Sequence, residues 1–424
     1  MLTQAPRGTK DVLPGDSYKW QYVEEVMRKH CANFGYREMR TPVFEHTELF
    51  LRGVGDTTDI VQKEMYTFND KGNRSITLKP EGTAGVVRSF IENGMQNEVQ
   101  PTKVYYLNNP IFRYENPQSG RLREHHQFGV EAFGGPNASL DAEIIGLALG
   151  IFKELGITGL SVNINSIGCP DCRPKYNAAL KEYFRENLDN LCDTCKSRYD
   201  RNPLRILDCK DENCRKYIAN APIMIDYLCD DCKEHFESLK EHLNALNIEY
   251  KINPMIVRGL DYYTKTVFEV ISHTIGAQGT VCGGGRYDNL VEELGGPKMP
   301  GVGFGLGIER LLLTLESTGL EIEKPSLYDV YVCTMGKEAE IEGFKLCMSL
   351  REKGIKVESD HVGRSMKAQF KYADKIDAPY VVVIGEEELK NNIVVLRDMK
   401  NGIQQEVAMD KITDQLLAAI KNEV

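Results

Sequence analysis

The hydrophobic and polar positions predict a mixture of helices and strands in residues 1–168. Asp16–Phe34 is amphipathic and is followed by Gly35, a residue type that commonly ends a helix. Tyr36–Glu45 is predicted to be a strand that is interrupted at Pro42. The other elements predicted here are a short helix that follows Glu81-Gly82-Thr83 and runs through Glu92, hairpin strands at Lys103–Phe112 and His126–Phe133, and a helix at Asp141–Leu155.

Residues 169–246 differ from both of their neighbours, because they are rich in charge, in short helical patterns and in cysteine. We interpret this segment as an insertion. Strand-like, glycine-rich sequence resumes from Tyr250 to Gly307 and is followed by a predicted helix, Ile308–Glu316. Residues 1–168 and 247–324 are therefore assigned to one core that the insertion interrupts.

After Pro325, which marks a linker, strands and helices alternate. The predicted elements are strand Asp329–Met335, helix Lys337–Lys353, strand Ile355–Ser359, helix Ser365–Ile376, strands Tyr380–Ile384 and Ile393–Arg397, and helix Lys411–Lys421. This alternation predicts that residues 325–424 form a small α/β domain in which helices cover a mostly parallel sheet.

The composition narrows the class of protein. A chain of 424 residues is long enough for two or three domains, and 42% hydrophobic with 27% charged residues is typical of a soluble globular protein. The chain has no apolar run long enough to span a bilayer and no apolar signal core at its N-terminus, so we expect a cytoplasmic protein without a membrane partner. The net charge of −10 argues against broad, non-specific nucleic-acid binding but leaves room for RNA at a local basic face.

Polar chemistry is concentrated in the hairpin Ile111–Glu131. Alternation predicts two groups of side chains on one surface, namely Arg113 and Glu115 from the outgoing strand and Gln127, Gly129 and Glu131 from the return strand. Arg121 and Arg123 lie in the loop between them. Guanidinium, carboxylate and amide groups beside an open glycine suit a small zwitterion and an anion. A solvated hairpin with cross-strand ion pairs would show the same alternation.

Three further strings combine polar groups with glycine. Lys79–Thr83 brings a carboxylate and a hydroxyl to a turn before a helix, where a simple helix cap is the alternative. Val257–Tyr263 joins an arginine, a glycine and two tyrosines, and a strand end with one core tyrosine is the alternative there. In Gly301–Arg310 alternate glycines leave one strand face bare, and Gly283–Gly285 adds a second bare wall. A nucleotide base stacked on this backbone, with its phosphates at Arg310, would suit the pattern.

Two common nucleotide-binding motifs are excluded. The glycine strand is not a G-x-G-x-x-G that opens a βαβ unit, and the chain has no G-x-x-x-x-G-K-[ST] string.

Eight of the twelve cysteines form close pairs, at Cys169/Cys172, Cys192/Cys195, Cys209/Cys214 and Cys229/Cys232. In a reducing compartment such pairs indicate metal ligands before disulfides, so we expect one or two structural Zn²⁺ ions. The spacing favours a first site from the first two pairs, with the other two pairs as a looser second site. Thiols left over from a decayed site are the alternative.

In their order along the chain these strings resemble the motifs of class II aminoacyl-tRNA synthetases. Phe112–Glu115 with its loop is similar to motif 2, the glycine strand with Glu309 and Arg310 to motif 3, and residues 34–42 to the end of motif 1. Arg258–Tyr263 together with Gly283–Asp288 resembles the histidyl-tRNA synthetase family. The C-terminal α/β unit, including Gly363–Phe370, resembles the anticodon-binding domain of that family.

The resemblance implies the fold, the domains and the residue roles. The fold would be a class II synthetase-like α+β catalytic core with an antiparallel sheet (1–168 and 247–324), a cysteine-rich helical insertion (169–246) and an anticodon-binding domain (325–424). The implied catalytic residues are Arg113 and Arg258. The implied histidine-binding residues are Glu81, Gly82, Thr83, Arg113, Gln127, Glu131, Arg258, Tyr262 and Tyr263, with Tyr287 as a further wall. The implied ATP-binding residues are Arg113, Glu115, Arg121 and Arg310.

Within these sets the resemblance implies specific contacts. Glu81, Thr83 and Gln127 would take the α-amino group of histidine, and Glu131 and Tyr263 its two ring nitrogens. Arg113 would hold the α-phosphate of ATP and Arg310 the far end of the triphosphate, with Mg²⁺ between phosphate oxygens.

The implied function is that of a homodimeric ligase that uses ATP to activate L-histidine as histidyl-adenylate and transfers it to the 3′ end of tRNA(His). The alternative is a non-catalytic, synthetase-like regulatory subunit of histidine biosynthesis. Such paralogues usually lack the C-terminal domain and parts of Arg258–Tyr263, and both are present here. A zinc-ribbon nucleic-acid-binding protein would account for the insertion alone.

Overall fold

The computed structural model describes residues 3–55, 58–118, 120, 122–273 and 279–421. The chain divides into two compact units, Met1–Ile322 and Glu323–Val424. Within the described residues, no helix is both long and apolar enough to cross a membrane.

The helices of the first unit are α1 (Ser17–Asn33), α2 (Thr47–Val54), α3 (Thr83–Glu92), α4 (Ala138–Glu154), α5 (Arg173–Arg185), α6 (Asp193–Arg201), α7 (Glu212–Ile218), α8 (Asp230–Ala245), α9 (Leu290–Glu293) and α10 (Ile308–Ser317). Its strands are β1 (Arg37–Glu38), β2 (Phe44–His46), β3 (Tyr66–Asn69), β4 (Ser75–Leu78), β5 (Thr102–Phe112), β6 (Glu124–Phe133), β7 (Leu160–Ser166), β8 (Tyr250–Ile252), β9 (Thr264–Ser272), β10 (Thr280–Arg286) and β11 (Gly301–Gly307). Short 3-10 segments occur at Met95–Asn97, Leu188–Asn190, Pro203–Asp208 and Met224–Tyr227, and a π-helical turn at Ile60–Glu64.

A large sheet with the strand order β1-β5-β6-β11-β10-β9-β7-β8 organises this unit. Its pairings are antiparallel except for β1 with β5 and β7 with β8 at the two ends. One face carries Phe128, Val130 and Phe304, which pack with buried residues of α1, α4, α8 and α10. The other face belongs to a second hydrophobic cluster with α3 and α9. This arrangement confirms the expected antiparallel core with helices.

Two details of the predicted strands are wrong. The predicted strand Tyr36–Glu45 is two short strands in different sheets, since β1 pairs with β5 whereas β2 pairs with β4 on the other side of Pro42, which has no N–H to donate. The predicted outgoing hairpin strand ends at Phe112, so Arg113 and Glu115 do not share a strand face. Glu115 N donates to Arg113 O at 2.8 Å, a contact over two residues that belongs to a tight turn.

The helices of the second unit are α11 (Lys337–Glu352), α12 (Met366–Lys375), α13 (Glu386–Lys390) and α14 (Ile412–Lys421), and its strands are β12 (Val330–Thr334), β13 (Val357–Ser359), β14 (Tyr380–Ile384), β15 (Ile393–Asp398) and β16 (Gln404–Ala408). The sheet order is β13-β12-β14-β15-β16. The predicted α/β character is confirmed, but the sheet is mixed, because β15 and β16 form an antiparallel hairpin beside the three parallel strands. The sequence did not predict α13 or β16.

A buried ion pair joins the sheet of the first unit to its helices. Arg286, at the end of β10, is fully buried and donates through Nη2 to Asp141 Oδ2 and through Nε to Oδ1 at 3.2 Å. His235 of α8 lies 3.3 Å from the same carboxylate through its Nε2. Although burial opposes ionisation, the neighbouring Arg286 and His235 lower the pKa of Asp141 to about 2. The group therefore ties β10, α4 and the last helix of the cysteine-rich segment together.

We expect Asp141→Asn to lower the free energy of unfolding of the first unit by about 3–5 kcal/mol, because it leaves Arg286 buried without its counter-ion. The unfolding signal is the fluorescence of Trp20, the only tryptophan, which packs against the core of this unit. Because the pKa of Asp141 is lower in the folded state, its contribution is present above pH 4 and is lost as the pH falls towards 2. Exposed Asp189→Asn is the matched control, and equal stability of the two variants would contradict the assignment.

Candidate active site

Glycines on β11 make room for side chains of the neighbouring strand β6. Gly303 lies opposite Glu131, and Gly305 lies opposite Gly129. A Cβ atom at Gly303 would overlap the carboxylate of Glu131, and one at Gly305 would overlap the amide of Gln127. The bare backbone predicted from the alternate glycines is therefore present, but at these positions it is covered by protein side chains.

The same close approach explains two other glycines. A Cβ at Gly129 would overlap the phenol of Tyr106. The sequence had suggested that this glycine makes room for substrate, but in the structure it makes room for a tyrosine of the neighbouring strand. A Cβ at Gly283 would lie 2.7 Å from Nη1 of Arg258, whose guanidinium covers that wall. Four glycines thus let polar side chains lie directly on the sheet.

Glu131 is the centre of a buried polar cluster. Its exposed fraction is 1%, and its carboxyl group accepts hydrogen bonds from Thr83 Oγ1 at 2.7 Å, Tyr106 Oη at 3.3 Å and Tyr287 Oη. Burial raises the pKa of Glu131 to about 8, although these hydroxyls oppose the shift. The raised folded-state pKa means that this group favours the folded state below pH 4.5 and loses that contribution as the pH rises through 8.

Glu81 and Thr83 sit at the start of α3. The carboxylate of Glu81 accepts the backbone N–H groups of Thr83 at 2.8 Å and Ala84 at 2.7 Å, which is the contact expected of a helix cap. Tyr262 Oη also donates to Glu81 at 3.4 Å, so the same carboxylate borders the cluster. Gly82 packs against the ring of Tyr106. Burial raises the pKa of Glu81 as well.

Three tyrosines close the cluster. The ring centroids of Tyr262 and Tyr263 lie 4.7 Å apart, and those of Tyr262 and Tyr287 lie 5.7 Å apart. Tyr287, which the sequence suggested only as a wall, donates to Glu131. Gln127 reaches the same sheet face, and its buried Oε1 has no hydrogen-bond partner in the described part of the chain. An acceptor without a donor is thus available for a ligand.

Arg258 connects this cluster to an open cleft. Its Nη1 donates to Glu269 Oε1 at 2.5 Å, and its guanidinium lies 5.8 Å from the ring centre of Tyr263. The cleft is lined by Arg113, Glu115, Gly120, His125, Arg258, Thr280, Val281, Cys282, Gly283, Gly305, Gly307, Glu309 and Arg310. The structure therefore brings three predicted arginines together at one cleft, which gives the cleft a cationic wall.

The arginines of the cleft are held by backbone carbonyls. Arg113 Nε donates to Pro80 O at 2.7 Å, and Arg310 Nη1 donates to Thr280 O at 2.8 Å from the first turn of α10. Arg123 stacks at 4.1 Å on the ring of Tyr114 and donates to Glu115 O at 3.0 Å, outside the set of cleft-lining residues. Arg121 lies outside the described residues.

Sequence reasoning gave no role in the site to Tyr106, Glu269 or Glu309. Tyr106 shares its β5 face with Val104 and could have been found from strand alternation. Glu269 alternates with buried residues on β9 and is the ion-pair partner of Arg258. Glu309 accepts His126 N at 3.0 Å and contacts its Nδ1 at 2.9 Å, and no sequence signal links these two residues.

The eight paired cysteines form two groups of four in the insertion. The first cluster contains Cys169, Cys172, Cys229 and Cys232, and the second cluster contains Cys192, Cys195, Cys209 and Cys214. The expected pairing of the first two sequence pairs is wrong. One cluster is nested within the other along the sequence. The start of α8 lies beside the start of α5, which brings Cys229 and Cys232 to Cys169 and Cys172.

Known proteins resemble the chain over its whole length. The family model described as histidyl-tRNA synthetase matches residues 8–311, and the one described as an anticodon binding domain matches residues 329–419. The histidine–tRNA ligase of Caldanaerobacter subterraneus subsp. tengcongensis is 61% identical over 422 residues, which cover 100% of both chains. The histidine–tRNA ligase of Clostridium novyi is 59% identical, with 98% of each chain covered.

A solved structure gives the same result. The crystal structure of apo S. aureus histidyl-tRNA synthetase superimposes with a TM-score of 0.84 at 41% identity, and the match covers 98% of this chain and 100% of that chain. Together with the polar cluster and the cationic cleft, these similarities show that the chain belongs to the histidyl-tRNA synthetase family and is an aminoacyl-tRNA ligase.

Proposed function

We propose that this site activates L-histidine with ATP and transfers the histidyl group to tRNA(His), with the residue roles given below. The observation that carries the proposal is the junction of a buried carboxyl–tyrosine cluster with a cleft lined by Arg113, Arg258 and Arg310. The cluster suits a small polar ring, and the cleft suits a polyanion.

Histidine would bind with its imidazole at Glu131 and the surrounding tyrosines. A carboxyl group that burial keeps protonated can share its proton with a ring nitrogen, which suits imidazole and leaves polar groups unpaired for a ring without nitrogens. Gln127 Oε1, Glu81 and Thr83 would receive the α-amino group, Gly82 would border it, and Tyr262 and Tyr263 would enclose the ligand. The unpartnered Gln127 Oε1 supports this orientation.

ATP would occupy the cleft, where Gly307 leaves the backbone of β11 open. Arg113 and Arg258 would neutralise the α-phosphate and the histidine carboxylate, and Arg310 would hold the far end of the triphosphate. Glu115 and Arg121 are proposed as further ATP contacts. Mg²⁺ fits the carboxylates that line the cleft, Glu115 and Glu309, together with the phosphate oxygens, and would supply charge neutralisation.

A regulatory subunit without ligase activity is the weaker reading. The chain matches histidine–tRNA ligases from end to end, and the C-terminal unit matches an anticodon-binding family. We propose that residues 325–424 bind tRNA(His), that residues 1–168 and 247–324 are the catalytic core, and that the reaction takes place in the cytoplasm.

Histidine-dependent exchange of labelled pyrophosphate into ATP tests the proposal. We expect exchange with the full-length protein, and we expect Arg258→Ala to lower its rate about a hundredfold or more, because a positioned cation at the developing charge is removed. Exposed Arg215→Ala removes the same charge elsewhere and should retain the normal rate. Folded protein without exchange would refute the activity, and normal exchange in Arg258→Ala would refute the role of that residue.

The pH dependence of histidine affinity tests the role of Glu131. If carboxyl and imidazole share one proton, affinity should be highest between about pH 6.5, the usual pKa of imidazole, and pH 8, and should fall above pH 8. Glu131→Gln should bind histidine more weakly and should lose the limb centred near pH 8. Titration calorimetry measures the histidine affinity of the native protein and of the variant at each pH. The α-amino group of histidine titrates in the same way with both proteins, so the variant is also the control for that effect. A wild-type affinity that is constant from pH 7 to 9 would contradict the assignment.

We also propose that the chain is a homodimer. Phe44 lies opposite Leu78 and Phe68 lies opposite Ile76, so both phenylalanines are on the same face of the small sheet β2-β4-β3. Their exposed fractions are 54% and 49%. Exposed aromatic residues on a flat face favour a protein interface.

Sedimentation should find a dimer for the native chain and a monomer for the Phe44→Asp/Phe68→Asp double variant, since two buried charges would oppose association. Exposed Tyr22→Asp, on α1, should remain dimeric. A native monomer at micromolar concentration would contradict the proposal.

The Zn²⁺ ions expected in the cysteine-rich insertion (169–246) would be structural and would not take part in the reaction.

A further inference from the structure

We propose that each cysteine cluster binds one zinc ion and that the two loaded sites hold the loop Ile256–Tyr263, so that zinc positions Arg258 and Tyr263. The zinc assignment stands on the insertion alone. The consequence for activity rests on the proposed function, because that proposal gives Arg258 and Tyr263 their roles.

The sulfur atoms of each cluster are spaced as ligands of one metal ion. All four lie within 4.8 Å of one another, and the individual Sγ–Sγ distances include 3.5 Å for Cys169–Cys172 and 3.8 Å for both Cys169–Cys229 and Cys192–Cys209. A tetrahedral zinc ion with Zn–S bonds of about 2.3 Å sets its sulfur atoms about 3.8 Å apart. A disulfide would need about 2.0 Å, so the distances favour a tetrathiolate metal site over paired disulfides.

Backbone groups around the clusters support thiolate ligands. Cys229 N donates to Cys172 Sγ at 3.1 Å, and Cys192 N donates to Cys214 Sγ at 3.2 Å. Helices α5, α6 and α8 each begin directly after a cluster cysteine, so the positive ends of three helix dipoles lie beside the clusters and favour thiolates. Such N–H contacts fix the ligands of a metal site and stabilise their charge.

Each cluster has, close to one of its cysteines in sequence, an arginine that reaches the Ile256–Tyr263 loop. Arg173 follows Cys172 and donates to the backbone carbonyl of Tyr263. Arg205 lies in the 3-10 segment that ends before Cys209, is buried, and donates to the carbonyl of Arg258 at 2.5 Å.

Asn202 adds a third contact from the insertion, since its Nδ2 donates to Asp261 Oδ1 at 3.1 Å. Arg173 and Arg205 contact the backbone at the two residues whose side chains border the cleft and the cluster, whereas Asn202 contacts a side chain between them. A cluster without its metal would release the chain that carries Arg173 or Arg205, and the loop would lose a support at each end.

The zinc content of purified full-length protein, measured by elemental analysis, tests the sites without reference to activity. We expect two zinc ions per chain and two in Cys347→Ser, a buried cysteine outside the clusters. Cys169→Ser/Cys229→Ser should retain one ion, because both residues serve one cluster. Cys169→Ser/Cys192→Ser should retain none, because it damages both clusters. The reversed outcome would refute the nested pairing, and native protein without zinc and with eight titratable cluster thiols would refute the sites.

The coupling to the loop is tested with Arg205→Ala and Arg173→Ala. Both should keep two zinc ions, while their histidine-dependent pyrophosphate exchange should fall about tenfold or more, because a shift of about 1 Å at Arg258 is sufficient for such a loss. Arg205→Lys should restore part of the rate, and exposed Arg215→Ala should behave as the native protein. Native exchange in both arginine variants would refute the coupling.

Metal-depleted protein should lose exchange and regain it when zinc alone is added. Full exchange by the zinc-free protein would also refute the coupling. If native protein with two zinc ions shows no exchange at all, the proposed function fails while the metal sites stand.

Discussion

Direct contact between polar side chains and bare sheet backbone is the constraint on which the site depends. Gly303, Gly305 and Gly283 leave the volume that Glu131, Gln127 and Arg258 occupy. Interiors are packed closely enough that even one methyl group at such a position displaces its neighbour. The glycines of β10 and β11 therefore leave room for three polar side chains. At Gly307 of β11, where an added Cβ atom would have no neighbour closer than 3.9 Å, the backbone stays open to the cleft.

Two buried carboxyl groups on opposite faces of the sheet have opposite pKa shifts. Asp141 meets the guanidinium of Arg286, which holds its pKa near 2. Glu131 meets neutral hydroxyl groups, and burial raises its pKa to about 8. A buried carboxyl group that is paired with a protein cation stabilises the fold. A buried carboxyl group without such a partner can still bind a cationic or proton-sharing ligand. With the role proposed for Glu131, the same carboxyl chemistry serves stability on one face and histidine recognition on the other.

Features that depend on residues close together in the sequence were predicted, and features that depend on distant pairs were not. Helix ends at Gly35 and at Thr83, and the strand–helix junction before Arg310, depend on neighbours in sequence and were predicted closely. The ion pairs of Arg286 with Asp141 and of Glu269 with Arg258 join residues that are distant in sequence or on different elements, and no periodicity reveals them. The cysteine pairs were visible, but their nesting depends on the return of α8 to α5. The roles of the site residues came from a resemblance, because alternation alone fits an ordinary surface hairpin equally well.

The most direct measurement of the central claim is the KM for histidine of Gly305→Ala beside Gly307→Ala on the same strand. The three atoms nearest to a methyl group at Gly305 all belong to the flexible Gln127 side chain, so the fold should survive while the amide is displaced. We expect the KM for histidine to rise about tenfold or more in Gly305→Ala, with an unchanged melting temperature, and to stay near the native value in Gly307→Ala. A native KM for histidine in Gly305→Ala would contradict the account.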